Sequence, residues 1–187
     1  MRWVQFLILV WVTVVVQATL GGAVAFNMPL LGRIAPDLLA IVAVFVAVRG
    51  PNLQAVMKAA WVLGFAVDLT AVAGTGLPTV VGPMSIAYAL SAGLIFQMRE
   101  AIFGEQPVIQ GTLALLFCAM SHLIWITAQA ILGGGWQHYG SLIMQVIGIS
   151  LYTALVMPVG FWALSRAHGL IIDVPVRRTV RSRRQAR

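Results

Sequence analysis

Residues 106–165 read QPVIQGTLALLFCAMSHLIWITAQAILGGGWQHYGSLIMQVIGISLYTALVMPVGFWALS, sixty positions without one Asp, Glu, Lys or Arg. Two further charge-free runs, residues 3–32 and 69–98, are thirty residues each. About 20 apolar residues carry a helix across a bilayer core of roughly 30 Å, so each run holds at least one span. The chain is 60% hydrophobic and 9% charged, with mean hydropathy +0.95, which leaves a water-soluble fold almost nothing polar to present to solvent. The sequence therefore specifies an all-α, polytopic membrane protein.

Its 187 residues give room for five to seven spans and no large soluble domain. Function is thereby confined to the bilayer, the short loops or the C-terminal tail. The single cysteine, Cys118, lies inside an apolar run and has no internal disulfide partner, so it reads as buried thiol filler. The apolar stretch after Arg2 is longer than a signal-peptide core of about 7–15 residues, and no clear cleavage site follows. It reads as an uncleaved first span.

Six spans fit, at about 3–26, 36–48, 55–72, 84–98, 108–132 and 141–164. The breaks carry turn chemistry: Asn27-Met28-Pro29, Arg49-Gly50-Pro51-Asn52, the Gly- and Pro-rich residues 74–83, Gly104-Glu105-Gln106-Pro107, and Gly133-Gly134-Gly135. With the N-terminus in the cytoplasm, Arg2, Arg49, Lys58, Arg99 and the seven arginines from Arg166 onward lie inside, and only Arg33 lies outside. That agrees with the positive-inside bias and places both termini in the cytoplasm. The second span is short, and a helix of that length rises only about 20 Å. It needs snorkelling flanks, a thinned bilayer or shielding by neighbours. Pro36 reads as its first helical residue, and Asp37 beside it suits the positive end of the helix dipole.

Asp68 is the polar group that most needs explaining, because an intramembrane carboxylate is costly. Ala60, Gly64 and Asp68 share one face of the third span at i, i+4 and i+8, and Ser85, Ala89 and Gly93 form a matching stripe on the fourth, with Tyr88 beside it. Small residues let helices approach closely, so a tight third–fourth pairing is expected. Asp68 would bond across it or to loop amides at 74–76, near the water-accessible helix end. A ligand or proton site at Asp68 is the sharper alternative. On the fifth span His122 and Gln129 share a face, and on the sixth Gln145, Gly148 and Tyr152 do. These residues either border a polar pocket or make ordinary interhelical hydrogen bonds. Pro158 is expected to kink the sixth span.

No nucleophile motif, His-Glu-x-x-His pattern or phosphate-binding glycine loop is present, and the five acids and three histidines are scattered. Enzymatic activity and a cofactor have no support in the sequence. The net charge of +7 is nearly all tail: from residue 165 onward seven arginines face one acid, Asp173. This basic segment, residues 166–187, reads as a cytoplasmic tail lying on anionic lipid, separate from a transmembrane domain of residues 1–165. With no folded platform, it does not read as a nucleic-acid binder.

Ala35-Pro36-Asp37-Leu38-Leu39, then Gly64-Phe65-Ala66-Val67-Asp68-Leu69, then Gly74 with Gly76-Leu77, and Ser85-Ile86-Ala87-Tyr88 occur in an order and spacing that resemble the MreD family of bacterial rod-shape-determining membrane proteins. Pro158 and the basic tail are similar to that family's C-terminus. The arginine usual before the Pro-Asp pair stands instead at Arg33.

The resemblance implies a non-enzymatic inner-membrane subunit of the cell-wall elongation (rod) complex. Its partners would be MreC, RodA, a penicillin-binding protein and, directly or indirectly, MreB. It also implies a six-helix fold similar to the substrate-binding subunits of energy-coupling-factor vitamin transporters, which supplies the rival function. That rival predicts an outward polar cavity near residues 74–82 and 133–141, with Trp136, His138 and Tyr139 as lids. A scaffold predicts a filled core and an apolar groove on the bundle's outside. Pro36, Asp37, Gly64, Asp68 and Tyr88 are the candidate partner-binding or structural positions.

Overall fold

The structure is a computed structural model that describes residues 2–28, 32–75, 80–99, 106–133 and 139–171. Six helices account for most of it: α1 (Trp3–Ala23), α2 (Leu38–Arg49), α3 (Leu53–Thr75), α4 (Pro83–Met98), α5 (Pro107–Gly133) and α6 (Tyr139–Ile171). Four of them, α1, α3, α5 and α6, are long and apolar enough to cross a membrane, while α2 and α4 are shorter apolar helices. The third, fifth and sixth helices start or end a few residues beyond the expected spans, and α6 continues past residue 165 to Ile171.

One element was not expected. Where a plain turn was read at Asn27-Met28-Pro29, the chain forms a short antiparallel hairpin of β1 (Phe26–Met28) and β2 (Gly32–Ile34), with Phe26 opposite Ile34. Three-residue strands give no alternating pattern long enough to read from sequence.

Contacts between helices fix their directions. Gly64 of α3 lies against Met84 and Ser85 of α4, and Gly93 against Met57 and Leu53, so these two helices are antiparallel. Along α2 and α6, Ile34 meets Gly148, Asp37 meets Thr153 and Ile41 meets Gly160, so these two run parallel. Gly148 and Gly160 are seats for the two isoleucines: a Cβ at either would come within 2.7 Å of an isoleucine carbon. All helix ends on one side thus share the hairpin, and Arg2, Arg49, Lys58, Arg99 and Arg166 are on elements that begin or end on the opposite side. There Arg99 donates to the Gly50 carbonyl at 2.7 Å and lies over the Phe96 ring, while Arg49 lies over Phe161.

The organising feature is α2. Its sequence, LLAIVAVFVAVR, is apolar on every side, and a helix of that kind is stable only when surrounded. It packs against all five other helices, and Leu39 through Ala47 are buried without interruption. Packed in this way, α2 is shielded on every side by its neighbours. Phe45 closes against Phe161 of α6 with ring centroids 5.1 Å apart, and Tyr88 of α4 meets Phe117 of α5 at 4.9 Å.

Pro158 sits inside a continuous α6. The carbonyl it leaves without an i+4 donor belongs to Ala154, and that oxygen faces Gly111 of α5, where a Cβ would stand only 3.2 Å away. A close glycine contact of this kind supplies weak C–H donation to the oxygen.

Candidate functional site

A helix that begins inside a bundle has a problem at its first turn, because its leading N–H groups have no intrahelical acceptor. At α2 each is satisfied by a side chain. Asp37, in extended conformation, is the N-cap, and its Oδ1 accepts from Ala40 N–H at 3.0 Å. The Leu38 and Leu39 N–H groups both donate to Gln17 Oε1 of α1, at 3.0 and 3.2 Å. The Asp37 N–H donates to Thr153 Oγ1 of α6 at 2.9 Å. The residue before the cap is Pro36, which has no N–H to satisfy. Pro36 therefore stands two residues ahead of the first helical residue, not at it as expected, because the aspartate side chain takes the capping position.

The second carboxylate oxygen of Asp37 looks into the bundle. Tyr88 Oη of α4 donates to Oδ2 at 2.5 Å, and His122 Nε2 of α5 stands 4.0 Å from the same oxygen. His122 Nδ1 lies 2.9 Å from the Cys118 carbonyl, which can only accept, so Nδ1 carries the proton. At 4.0 Å Nε2 stands beyond hydrogen-bond distance of the carboxylate oxygen. Asp37 thereby connects α2 to α4 and α5 through its side chain and to α6 through its amide, while Gln17 adds α1.

Asp68 forms a separate node. Its Oδ2 accepts from Gly82 N–H at 3.0 Å, from Ser85 N–H at 3.3 Å and from Ser85 Oγ at 3.4 Å. The N-cap of α4 is Gly82, which has no side chain to cap with, so a carboxylate from α3 does the work across the helix pair. Gly82 has φ near +120°, a conformation that disfavours any side chain. The expected tight α3–α4 pairing is present: a Cβ on Gly64 would lie 2.5 Å from the Met84 carbonyl oxygen and 2.7 Å from Ser85 Cα, both backbone atoms.

One expectation about Asp68 changes. It is buried, 3% exposed, not reached by water at a helix end. It bonds across the helix pair, the first of the two expected alternatives, to Ser85 and to Gly82 just before α4, whose N–H points back at α3; residue 76 of the other alternative lies outside the described residues.

The other polar residues divide between tasks. Gln129 clasps Val80 of the segment before α4 with both ends of its amide, at 3.1 and 2.8 Å, while His122 turns to Asp37, so the two do not border one pocket. On α6, Tyr152 Oη donates to the Val24 carbonyl and Gly148 seats Ile34, so this face serves the hairpin. Cys118 is buried, as filler should be.

The proposed lids Trp136 and His138 lie outside the described residues, as do the arginines beyond residue 171. Of Tyr139 the structure describes only its place at the start of α6. Sequence reasoning missed Gln17 and Thr153. Their signal was only that each is a lone hydrogen-bonding side chain in an apolar helix, which the interhelical bonding rule flags without saying for whom.

Gln17, Asp37, Asp68, Gln129, Tyr152 and Thr153 are thus each engaged in holding backbone where elements of the bundle meet. Among the described residues no group of three His, Cys, Asp or Glu is placed to hold a metal ion. Comparison with protein-family models, with curated proteins and with solved structures returned no match.

Proposed function

We propose that this chain is a non-enzymatic subunit of the bacterial cell-wall elongation complex, holding membrane partners in place, as its resemblance to the MreD family implies. The observation that carries the reading is the interior occupied by α2: its nine consecutive buried residues make the filled core that a scaffold predicts. With the interior filled by α2, and with Asp37 and Asp68 spent on helix ends, the surface left for recognition is the outside of the bundle.

The residues that carry the resemblance add support. Asp37, Gly64, Asp68 and Tyr88 are the positions on which helix placement turns, the kind of residues a family sharing this fold would keep.

In this reading all six helices cross the inner membrane. The twelve residues of α2 rise about 18 Å, and the extended residues 32–37 add about 20 Å, which together exceed a hydrocarbon core of roughly 30 Å. The basic residues gathered on the side opposite the hairpin support a cytoplasmic placement of that side, and of both termini, in this reading. MreC, RodA, a penicillin-binding protein and MreB are the partners this assignment carries, and the basic tail rests on anionic lipid.

The test is affinity purification of the tagged chain from native membranes in mild detergent, with mass spectrometry of proteins and retained small molecules. Recovery of wall synthases with a single-span periplasmic protein is expected. ATPase subunits, or a vitamin-like ligand held stoichiometrically, would replace the scaffold with the transporter subunit.

A further inference from the structure

Between α1 and α3, beside the start of α2, the bundle leaves an open groove of about 310 Å³ lined by Val14, Gln17, Ala18, Leu39, Val67 and Thr70. Its floor has a polar feature whose direction is fixed. Gln17 Oε1 accepts from two N–H groups at once, so that atom is the amide oxygen and the amide nitrogen is the remaining, outward atom. Among the described residues that nitrogen has no protein acceptor, and the residue lines the groove. Because the oxygen receives two hydrogen bonds from a helix N-terminus, the NH₂ is polarised toward stronger donation.

Depth narrows the choice of acceptor. Gln17 is six residues before the end of α1, about 9 Å down the helix. In the six-crossing arrangement that lies within hydrocarbon, below the ester oxygens of lipid, and an acyl chain there would leave the NH₂ unpaired. The rim is built for a helix. Ala18 and Gly22, four residues apart, are both exposed, and a Cβ on Gly21 would meet nothing within 4 Å. Small residues at this spacing let a second helix backbone come close, and interhelical hydrogen bonds to Ser, Thr, Asn or Gln then form.

We propose that this groove receives one transmembrane helix of a partner protein, presenting a hydroxyl or carboxamide side chain to Gln17 Nε2 and packing on Ala18 and Gly22. The inference rests on the scaffold reading and names where on the bundle its partner docks.

The test places a photoreactive phenylalanine analogue at Ala18, at Thr70 and, as a control, at the exposed Leu155 of α6, followed by crosslinking in living cells and mass spectrometry of the adducts. The expected result is an adduct at positions 18 and 70, absent at 155, to an apolar segment of another protein with Ser, Thr, Asn or Gln within one helical turn of the attachment point. Ala18→Trp, which fills the groove from an exposed position, should lower recovery of that partner at least tenfold without shifting the melting temperature. Adducts to lipid alone, adducts to a second copy of this chain, or undiminished recovery with Ala18→Trp would overturn the proposal. If the unsubstituted chain still recovers wall synthases in any of those cases, the scaffold reading stands and only the docking site fails. If it recovers no membrane partner, both fail.

Discussion

The two buried aspartates do the same chemical job in different settings. Asp68 caps a neighbouring helix from α3, close to the segment 80–82, where Val80 and Val81 are exposed. Asp37 caps its own helix at a point enclosed by α1, α4, α5 and α6, and its amide and both carboxylate oxygens are engaged. The lesson is that the worth of an intramembrane carboxylate depends on what could replace it. Water can follow the loop to Gly82 when Asp68 is lost, but around Ala40 N–H and Tyr88 Oη the four enclosing helices leave only His122 and Thr153 as polar neighbours.

The largest effect should therefore come from Asp37→Ala. It removes a cap and strands a buried hydroxyl, and should cost about 3 kcal/mol, read as a lowered melting temperature in detergent. Asp37→Asn, which keeps the Oδ1 acceptor, should lose less than half of that.

Gly64→Ala comes next, at about 2 kcal/mol, because its methyl meets backbone of α4 that cannot rotate away. Gly93→Ala sharpens the point. It lies on the matching stripe, but its Cβ would stand 3.6 Å from the flexible Met57 side chain, so it should change stability by less than about 0.5 kcal/mol. Equal losses from the two glycines would show that the stripes, and not the contact at Gly64, set the α3–α4 distance.

Asp68→Ala should cost about 1–2 kcal/mol, the usual worth of a lost cap, with faster amide exchange at Gly82 and Ser85 and little change in α2. Tyr88→Phe should cost about 1 kcal/mol, since it removes one hydrogen bond and keeps the ring against Phe117. A loss from Tyr88→Phe as large as that from Asp37→Ala would assign the node to the phenol and not to the capping carboxylate.

Much of this was legible in the sequence for reasons of scale. Charge-free runs thirty or more residues long leave few choices in a bilayer, and Gly-Pro clusters mark their ends, so the helix order follows. Small residues at i, i+4 and i+8 around Gly64 announced the α3–α4 contact. What the sequence did not show is which helix goes in the middle. The all-round apolarity of LLAIVAVFVAVR fits lipid exposure as well as burial, and only the shortness of the helix hinted at enclosure. Asp37 was read as a dipole partner for one helix because its other contacts come from chain segments 51 to 116 residues away. Gln17 and Thr153 were invisible for the same reason: the acceptors α2 needs are defined only once three other helices surround its first turn.

A scaffold of this kind requires a bundle interior that is filled and dry beside α2. Ala40→Cys, in a chain with Cys118→Ala, places a thiol at a position that is 0% exposed, one turn into α2. A membrane-impermeant maleimide applied to spheroplasts should leave this thiol unmodified, and label it fully only after unfolding in SDS. Rapid labelling in the folded protein would mean a water-filled cavity reaching α2 from the hairpin side, and would contradict the scaffold in favour of a ligand-binding interior.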